Sequence, residues 1–357
     1  MSTWELLAQL PVQIESYALE PLSARVSSEF ERSSTVIHLR GAGEEGSGED
    51  VTYDAVDHAI LLADFQAQGP RLPLRGRFTL ASFAERLREL ELFPAPPQRE
   101  VSRRYRLWAY ESAALDLALR QAGTTLHALL DREPEPVRFV VSLRLGEPPT
   151  LDPLRRRLEL YPGLRFKLDP TSSWDERLIA QLAATGAVES VDFKAYYTGS
   201  IVDQPADPEL YRRVVRALPE AWIEDPALTP ETDAVLAPHR ERFSWDAPIH
   251  SVADIEALRY PPRMVNIKPS RLGGLRNLVD AFDHCAARGI GNYGGGQFEL
   301  GVGRGHIQYL ASLFHADAPN DVAPSGFNLP EPTAGLPSSP LAPAPASLGF
   351  RWETAGA

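Results

Sequence analysis

The feature that most limits what this chain can fold into is a long alternation of short apolar runs and helical segments. It begins near residue 136 and lasts to about 323. The runs at 137–145, 164–168, 188–193, 221–223, 242–245, 264–267, 290–293 and 321–323 read as strands. Those at 152–160, 174–184, 208–218, 231–240, 252–258, 275–288 and 305–315 read as helices, with Ser172 or Ser173 capping the second. A helix between successive strands returns the chain to the same end of the sheet, so the strands run parallel. Eight such strands in roughly 190 residues predict a βα-barrel, with its reactive groups at the strand C-termini.

The chain before this rhythm is different. Strand-like runs at 12–19 and 34–39 precede helical stretches at 79–92 and 101–130, where Gly123 suits a C-cap. That order predicts a separate α+β layer. Residues 41–49 read as a turn-rich loop; with no lysine and three glutamates it is no phosphate loop. After 330 the chain is rich in Pro, Ala and Ser, yet 347–353 alternates like a strand. We therefore expect an N-terminal α+β capping domain over 1–130, a barrel over 131–328, and a return over 329–357 that packs on the cap.

Composition narrows the function. A net charge of −12 over 357 residues argues against nucleic acid or an anionic membrane as the main partner. No run of 18 apolar residues suggests a membrane span. The lone Cys285 excludes an internal disulfide, and no N-terminal leader pattern is present, so a cytoplasmic location is expected. The oligomeric state is left open, a homo-oligomer included.

The stretch 263–274 carries the sharpest signal. An apolar run ends in Lys268 and breaks into Pro269, Ser270, Arg271, Gly273 and Gly274. Lysine is depleted in buried strands, so a lysine at such a strand end points to chemistry. Successive strand ends carry Lys167, Asp192, Glu224, Asp246 and Lys268, separated by 25, 32, 22 and 22 residues, close to one βα unit each. In a barrel this places three carboxylates together between two lysines. Three acidic oxygen ligands suit Mg2+. A cation on a substrate carboxylate with a lysine nearby is an arrangement for removing an α-proton.

These residues resemble the enolase superfamily, nearest its muconate lactonizing enzyme and o-succinylbenzoate synthase branch. The segment Asn266-Ile267-Lys268-Pro269-Ser270-Arg271-Leu272-Gly273-Gly274 is similar to the family's sixth-strand motif, and Ile223-Glu224-Asp225-Pro226 to its fourth-strand ligand motif. The resemblance implies an α/β fold, a modified (β/α)7β TIM-type barrel with an N-terminal α+β cap completed by the C-terminal tail. It implies Asp192, Glu224 and Asp246 as Mg2+ ligands and Lys167 and Lys268 as the acid/base pair. The implied reaction is α-proton abstraction from a small-molecule carboxylate to give an enediolate. Dehydration like that of o-succinylbenzoate synthase ranks first, ahead of a racemase, epimerase or cycloisomerase.

The chain also departs from the family. Arg165 stands where the branch carries a helper lysine, Lys194 where it carries asparagine, Ala247 where it carries glutamate, and 321–323 lacks an Asp-x-Asp. By strand alternation Lys194 faces the same side as Asp192. This opens a second reading, a non-catalytic acid-binding barrel with Lys194 replacing the metal. Arg165, Lys194, Asn266, Gly295, Gly296 and Glu299 are the candidate substrate-binding residues. Around Gly295 and Gly296, with Gly301, Gly303 and Gly305, backbone amides and a helix N-terminus are expected either to receive a substrate carboxylate or to form a plain turn. Tyr196, Tyr197 and Trp245 either line the pocket or simply pack. His250, His284, His306 and His315 have no metal spacing. Specificity is expected in cap segments 27–34 and 41–53.

Overall fold

The computed structural model describes residues 1–25, 31–197, 199 and 203–353; residues 27–30 of the expected specificity segment lie outside the described residues. The cap contains α1 (Thr3–Ala8), β1 (Pro11–Ile14), β2 (Ser16–Arg25), β3 (Glu31–Gly41) and β4 (Glu44–Asp50). It continues through α2 (Ala55–Gln68), β5 (Gly76–Thr79), α3 (Leu80–Arg88), α4 (Ser102–Gln121) and α5 (Leu126–Leu130). Strands β2, β3 and β4 form an antiparallel sheet with β3 in the middle, and β1 pairs with β5. Pro21 sits in β2, an edge strand, where its missing N–H costs no ladder bond.

The expected loop at 41–49 is instead mostly strand β4. Its glycines are there for close packing. A Cβ on Gly46 would lie 2.3 Å from the Ala113 carbonyl oxygen, and one on Gly48 2.0 Å from that of Ala109. Both carbonyls belong to α4, so the strand lies directly on the helix backbone. The composition of a turn thus serves a buried strand. Helices α1 and α2 were not foreseen in the sequence either. Helix α4 supplies more of the cap's core than any other element, including Trp108, Tyr110, Leu115 and Leu119. It ends at Gly123, whose φ of +65° is favoured by glycine.

The barrel alternates β6 (Val141–Leu143), α6 (Asp152–Leu160), β7 (Phe166–Leu168), α7 (Glu176–Thr185), β8 (Val188–Asp192) and α8 (Pro208–Ala217). Then come β9 (Trp222–Glu224), α9 (Pro230–Leu236), β10 (Phe243–Trp245), α10 (Val252–Glu256), β11 (Met264–Ile267) and α11 (Pro269–Leu272). The last elements are α12 (Leu275–Arg288), β12 (Gly291–Gly294) and α13 (Val302–Phe314). Strands β6 to β12 form one parallel sheet in sequence order. The eighth strand is reduced to two bridges, Phe139 with Asn320 and Gly295 with Asp321. The Asp321 amide donates to the Gly294 carbonyl at 2.8 Å and the Val140 amide to that of Asn320 at 2.8 Å, so this segment joins the two edges of the sheet. Helix α7 is capped by Asp175, which accepts from the Leu178 amide at 2.7 Å, and not by Ser172 or Ser173. The strongly periodic helices α6 and α12 begin and end where the apolar pattern does.

Among the described residues, the C-terminal return is held by isolated bridges and not by a continuous ladder. Thr125 bridges Gly349, and Leu341 bridges Val137. Phe350 is fully buried, stacked 4.2 Å from the His306 ring. The buried Asp116 carboxylate on α4 accepts from the Phe350 amide at 2.8 Å, Arg351 Nε at 2.7 Å and the Ser47 amide at 3.0 Å. One carboxylate thus ties α4, β4 and the tail together. Removing a buried phenylalanine side chain costs about 3–5 kcal/mol. Phe350→Ala is therefore expected to lower unfolding stability by that order in urea titrations, and truncation after Pro330 by more. A loss under about 1 kcal/mol would show the tail to be dispensable.

Candidate active site

The strand ends converge at one mouth of the barrel. Asp192 closes β8, Glu224 closes β9 and Asp246 follows β10; Asp192 and Glu224 are direct register partners. Each of the three acids offers an oxygen within 4.8 Å of the others, and all three side chains are buried. Four cations close around them. Lys167 Nζ contacts Glu224 and lies 3.1 Å from Asp192 Oδ2. Lys194 Nζ contacts Asp192 and lies 3.6 Å from Asp169 Oδ1. Lys268 Nζ donates to Asp246 Oδ2 at 2.8 Å, and Arg271 holds Asp246 Oδ1 at 2.6 Å.

The two deepest lysines sit in opposed electrostatic surroundings. Burial, with Arg271 and Lys167 nearby, lowers the Lys268 ammonium below its usual range despite Asp246. Burial also acts against the Lys167 ammonium, but Glu224 and Asp192 outweigh it and hold it well above its usual range. Burial and the surrounding carboxylates push Asp225 up to about 7, against the amide bonds it accepts.

Several expected placements change. Arg165 does not face the site. It precedes β7 at the opposite end of the strand, where Nε donates to Glu189 at 2.9 Å and the guanidinium also reaches the Gly186 carbonyl. The pairing of β7 with β8 skips Glu189, between Phe166 with Val188 and Lys167 with Ser190, and this extra β8 residue is the one that takes the Arg165 guanidinium. Lys194 does reach Asp192, but from a turn beyond β8. Its φ is +53°, and its own amide donates to Asp192 Oδ1 at 3.1 Å.

The amides at the α13 N-terminus, one part of the expected receptor for a substrate carboxylate, have a partner within the chain. The amides of Leu300, Gly301 and Gly303 already donate to Glu49 of the cap, at 2.6, 2.9 and 2.9 Å. Glu299 accepts from the Gln297 amide at 2.7 Å and lies 3.5 Å from Arg304. Gly295 lies against Lys268 and Asn266: a Cβ there would be 2.7 Å from Lys268 Cε and 2.9 Å from Asn266 Nδ2. Gly296 lies against Glu299, where a Cβ would fall 2.1 Å from Oε2. Asn266 is buried, with neither end of its amide hydrogen-bonded. Tyr197 is 3.4 Å from Asp246 Oδ2, Tyr196 meets Trp245 edge-on at 6.2 Å, and His306 and His315 pack away from the acids.

Three contributors escaped the sequence reading. Asp225 accepts from the amides of Asp246 at 2.9 Å and Ala247 at 2.8 Å, fixing the turn that presents Asp246. Arg271 and Asp169 hold Asp246 and Lys194 as described above. A simpler signal was also present. The chain has 36 Lys and Arg residues together, and only Lys167, Lys194 and Lys268 are lysines. Every other cationic position is arginine, so lysine occurs only at this mouth. Arginine stays charged in proteins, whereas lysine can give up its proton.

The donor set suits a hard divalent cation. It offers three buried carboxylates, and Glu224 Oε2 is buried without a hydrogen-bond partner. An orphaned carboxylate oxygen in a buried site is costly unless something else satisfies it.

Both halves of the chain match known proteins. Residues 133–329 match the family described as "Domain of unknown function (DUF8230) C-terminal domain", and residues 5–129 match its N-terminal counterpart. An o-succinylbenzoate synthase from Geobacillus stearothermophilus is 30% identical over 61% of this chain and 58% of its own. The chain thus spans under two thirds of that relative's length. An N-succinylamino acid racemase from Thermus thermophilus is 27% identical over 85% of this chain and 82% of its own. Muconate cycloisomerase from Pseudomonas fluorescens superposes with a TM-score of 0.64 at 19% identity, over 96% of this chain and 95% of its own. The fold is the capped TIM-type barrel of the enolase superfamily, and over both its domains the chain belongs to the DUF8230 family.

Proposed function

We propose that this protein abstracts a proton α to a carboxylate, with Asp192, Glu224 and Asp246 holding Mg2+ and Lys167 and Lys268 moving the protons. The observation that carries this reading is the buried carboxylate trio with one lysine at each end. When bound, Mg2+ would polarise the substrate carboxylate and stabilise the negative charge that develops on it.

The chain's own groups do the rest. Lys268, whose ammonium the packing destabilises, takes the α-proton as the C–H bond breaks; the electron pair moves into the carboxylate to give the enediolate. Lys167, held protonated, is placed to return a proton. Delivered to a β-hydroxyl, that proton lets the Cβ–O bond break so that the hydroxyl leaves as water while the enediolate's electron pair forms the Cα=Cβ bond; delivered to the α-carbon from the other face, it inverts the centre. Asn266, with both amide ends free of protein partners, and the Gly295 backbone beside it are the groups positioned to orient the substrate. Dehydration like that of o-succinylbenzoate synthase is the first choice, because relatives of that name are 30% identical. Racemisation is second, supported by the longer match to the N-succinylamino acid racemase.

One observation favours a different reading. Lys194 sits on Asp192, so the barrel as a non-catalytic acid binder has a cation already in place. The two readings separate by experiment. With Mg2+, a library of α-proton carboxylic acids in D2O is expected to yield at least one that exchanges its α-hydrogen, read by NMR. Lys268→Ala should cut that rate by about 10^2–10^4-fold. Exchange within tenfold of wild type in this variant would remove Lys268 from the chemistry. The base must be neutral, and its ammonium titrates below the ordinary lysine value of 10.5. The rate should therefore climb with pH and level off below pH 10.5; a rate that falls as pH rises contradicts the assignment.

The metal affinity is tested separately. Removing the ammonium from Asp192 frees a carboxylate for the cation, so Lys194→Asn should tighten Mg2+ about tenfold or more by calorimetry, or roughly 1.4 kcal/mol. Unchanged or weaker binding would show that Lys194 does not compete with the metal.

A further inference from the structure

The loop between β12 and α13 is gripped from the cap. Glu49, at the end of β4, is 1% exposed, and its carboxylate receives three barrel amides. Ser34 Oγ on β3 donates to Oε1, the oxygen that also takes the Leu300 amide, at 2.7 Å. Two more cap residues reach the same loop. Buried Arg32 donates to the Gln297 carbonyl at 3.2 Å, and Tyr53 Oη donates to Gln297 Oε1 at 2.8 Å. At its other end the loop presents Gly295, whose backbone packs on Lys268 Cε and the Asn266 amide.

The geometry points to Glu49 as a positioning residue for Lys268. The carboxylate fixes the amides of residues 300, 301 and 303, which fixes the loop, which keeps the Gly295 backbone against the lysine side chain. The cap thereby sets how Lys268 sits, through the loop. A carboxylate suits this role better than an amide. Each oxygen accepts only, whereas glutamine would turn an N–H2 toward backbone N–H groups. Ionised acceptors also bind backbone amides at a helix N-terminus more strongly. That Lys268 is the base rests on the function proposed above; its placement by Glu49 does not.

The three lysines make the test direct, because they are the chain's only side-chain amines. The full-length protein is labelled with trinitrobenzenesulfonate, and Lys167, Lys194 and Lys268 are followed separately by peptide mapping and mass spectrometry. No substrate or turnover is needed, so failure here is separable from failure of the proposed reaction. In Glu49→Gln and Glu49→Ala, Lys268 should label about tenfold faster while Lys167 stays within about twofold. Gly303→Ala, whose methyl would sit 2.9 Å from Glu49 Oε2, should do the same from the barrel side and leave Glu49 in place. Sodium formate, against sodium chloride at equal ionic strength, should return the Glu49→Ala rate toward wild type by refilling the carboxylate position. Equal acceleration of Lys167 and Lys268, which marks general loosening, overturns the inference. So does an unchanged Lys268 rate, or acceleration that formate leaves untouched.

Discussion

The structure depends on a compensated cluster of buried charge. Asp192, Glu224 and Asp246 lie together without water-exposed surface, an arrangement that repels itself and forfeits hydration. It persists because Lys167, Lys194, Lys268 and Arg271 interleave with the acids. Each cation contacts at least one carboxylate, so removing any partner leaves a buried charge exposed to its like. Burial also sets the lysines apart from one another. The same desolvation that penalises the Lys268 ammonium makes its neutral form accessible, while Lys167, between two carboxylates, keeps its proton.

Such a cluster needs a rigid frame, and other buried carboxylates supply it. Asp225 holds the Asp246 turn, Asp116 gathers α4, β4 and the tail, and Glu49 joins the cap to the loop over Lys268. All three spend their oxygens chiefly on backbone amides. A backbone amide is fixed in place by the fold, so it locks geometry better than a flexible side chain. The cap is thereby fastened to the barrel through hydrogen bonds as well as apolar packing, and the C-terminal return closes over that joint.

How legible this was differs with the kind of interaction. Helices α6 and α12 and strand β11 could be read to the residue because their apolar periodicity and flanking breakers are local. The spacing of charged strand ends was legible for the same reason, since one βα unit has a nearly constant length. Strand β4 was not, because Gly46 and Gly48 answer to the backbone of α4 more than sixty residues away. Arg165 was misplaced because its position rested on the family's Lys-x-Lys pattern, whereas the extra residue that draws it away, Glu189, is supplied by the neighbouring strand. Asp225 stands in plain view beside Glu224, but its role is to hold two amides of the next strand's turn. The α13 N-terminus looked open in sequence because its occupant, Glu49, comes from the other domain.

The proposed chemistry requires that the carboxylate trio bind a divalent cation in place. Crystals of the full chain soaked in MnCl2, a Mg2+ surrogate with an anomalous signal, test this directly. The expected result is a single anomalous peak at the barrel mouth, with oxygens of Asp192, Glu224 and Asp246 each within about 2.0–2.6 Å. A map without a peak there, with Lys167 and Lys194 still seated on the acids, would contradict it.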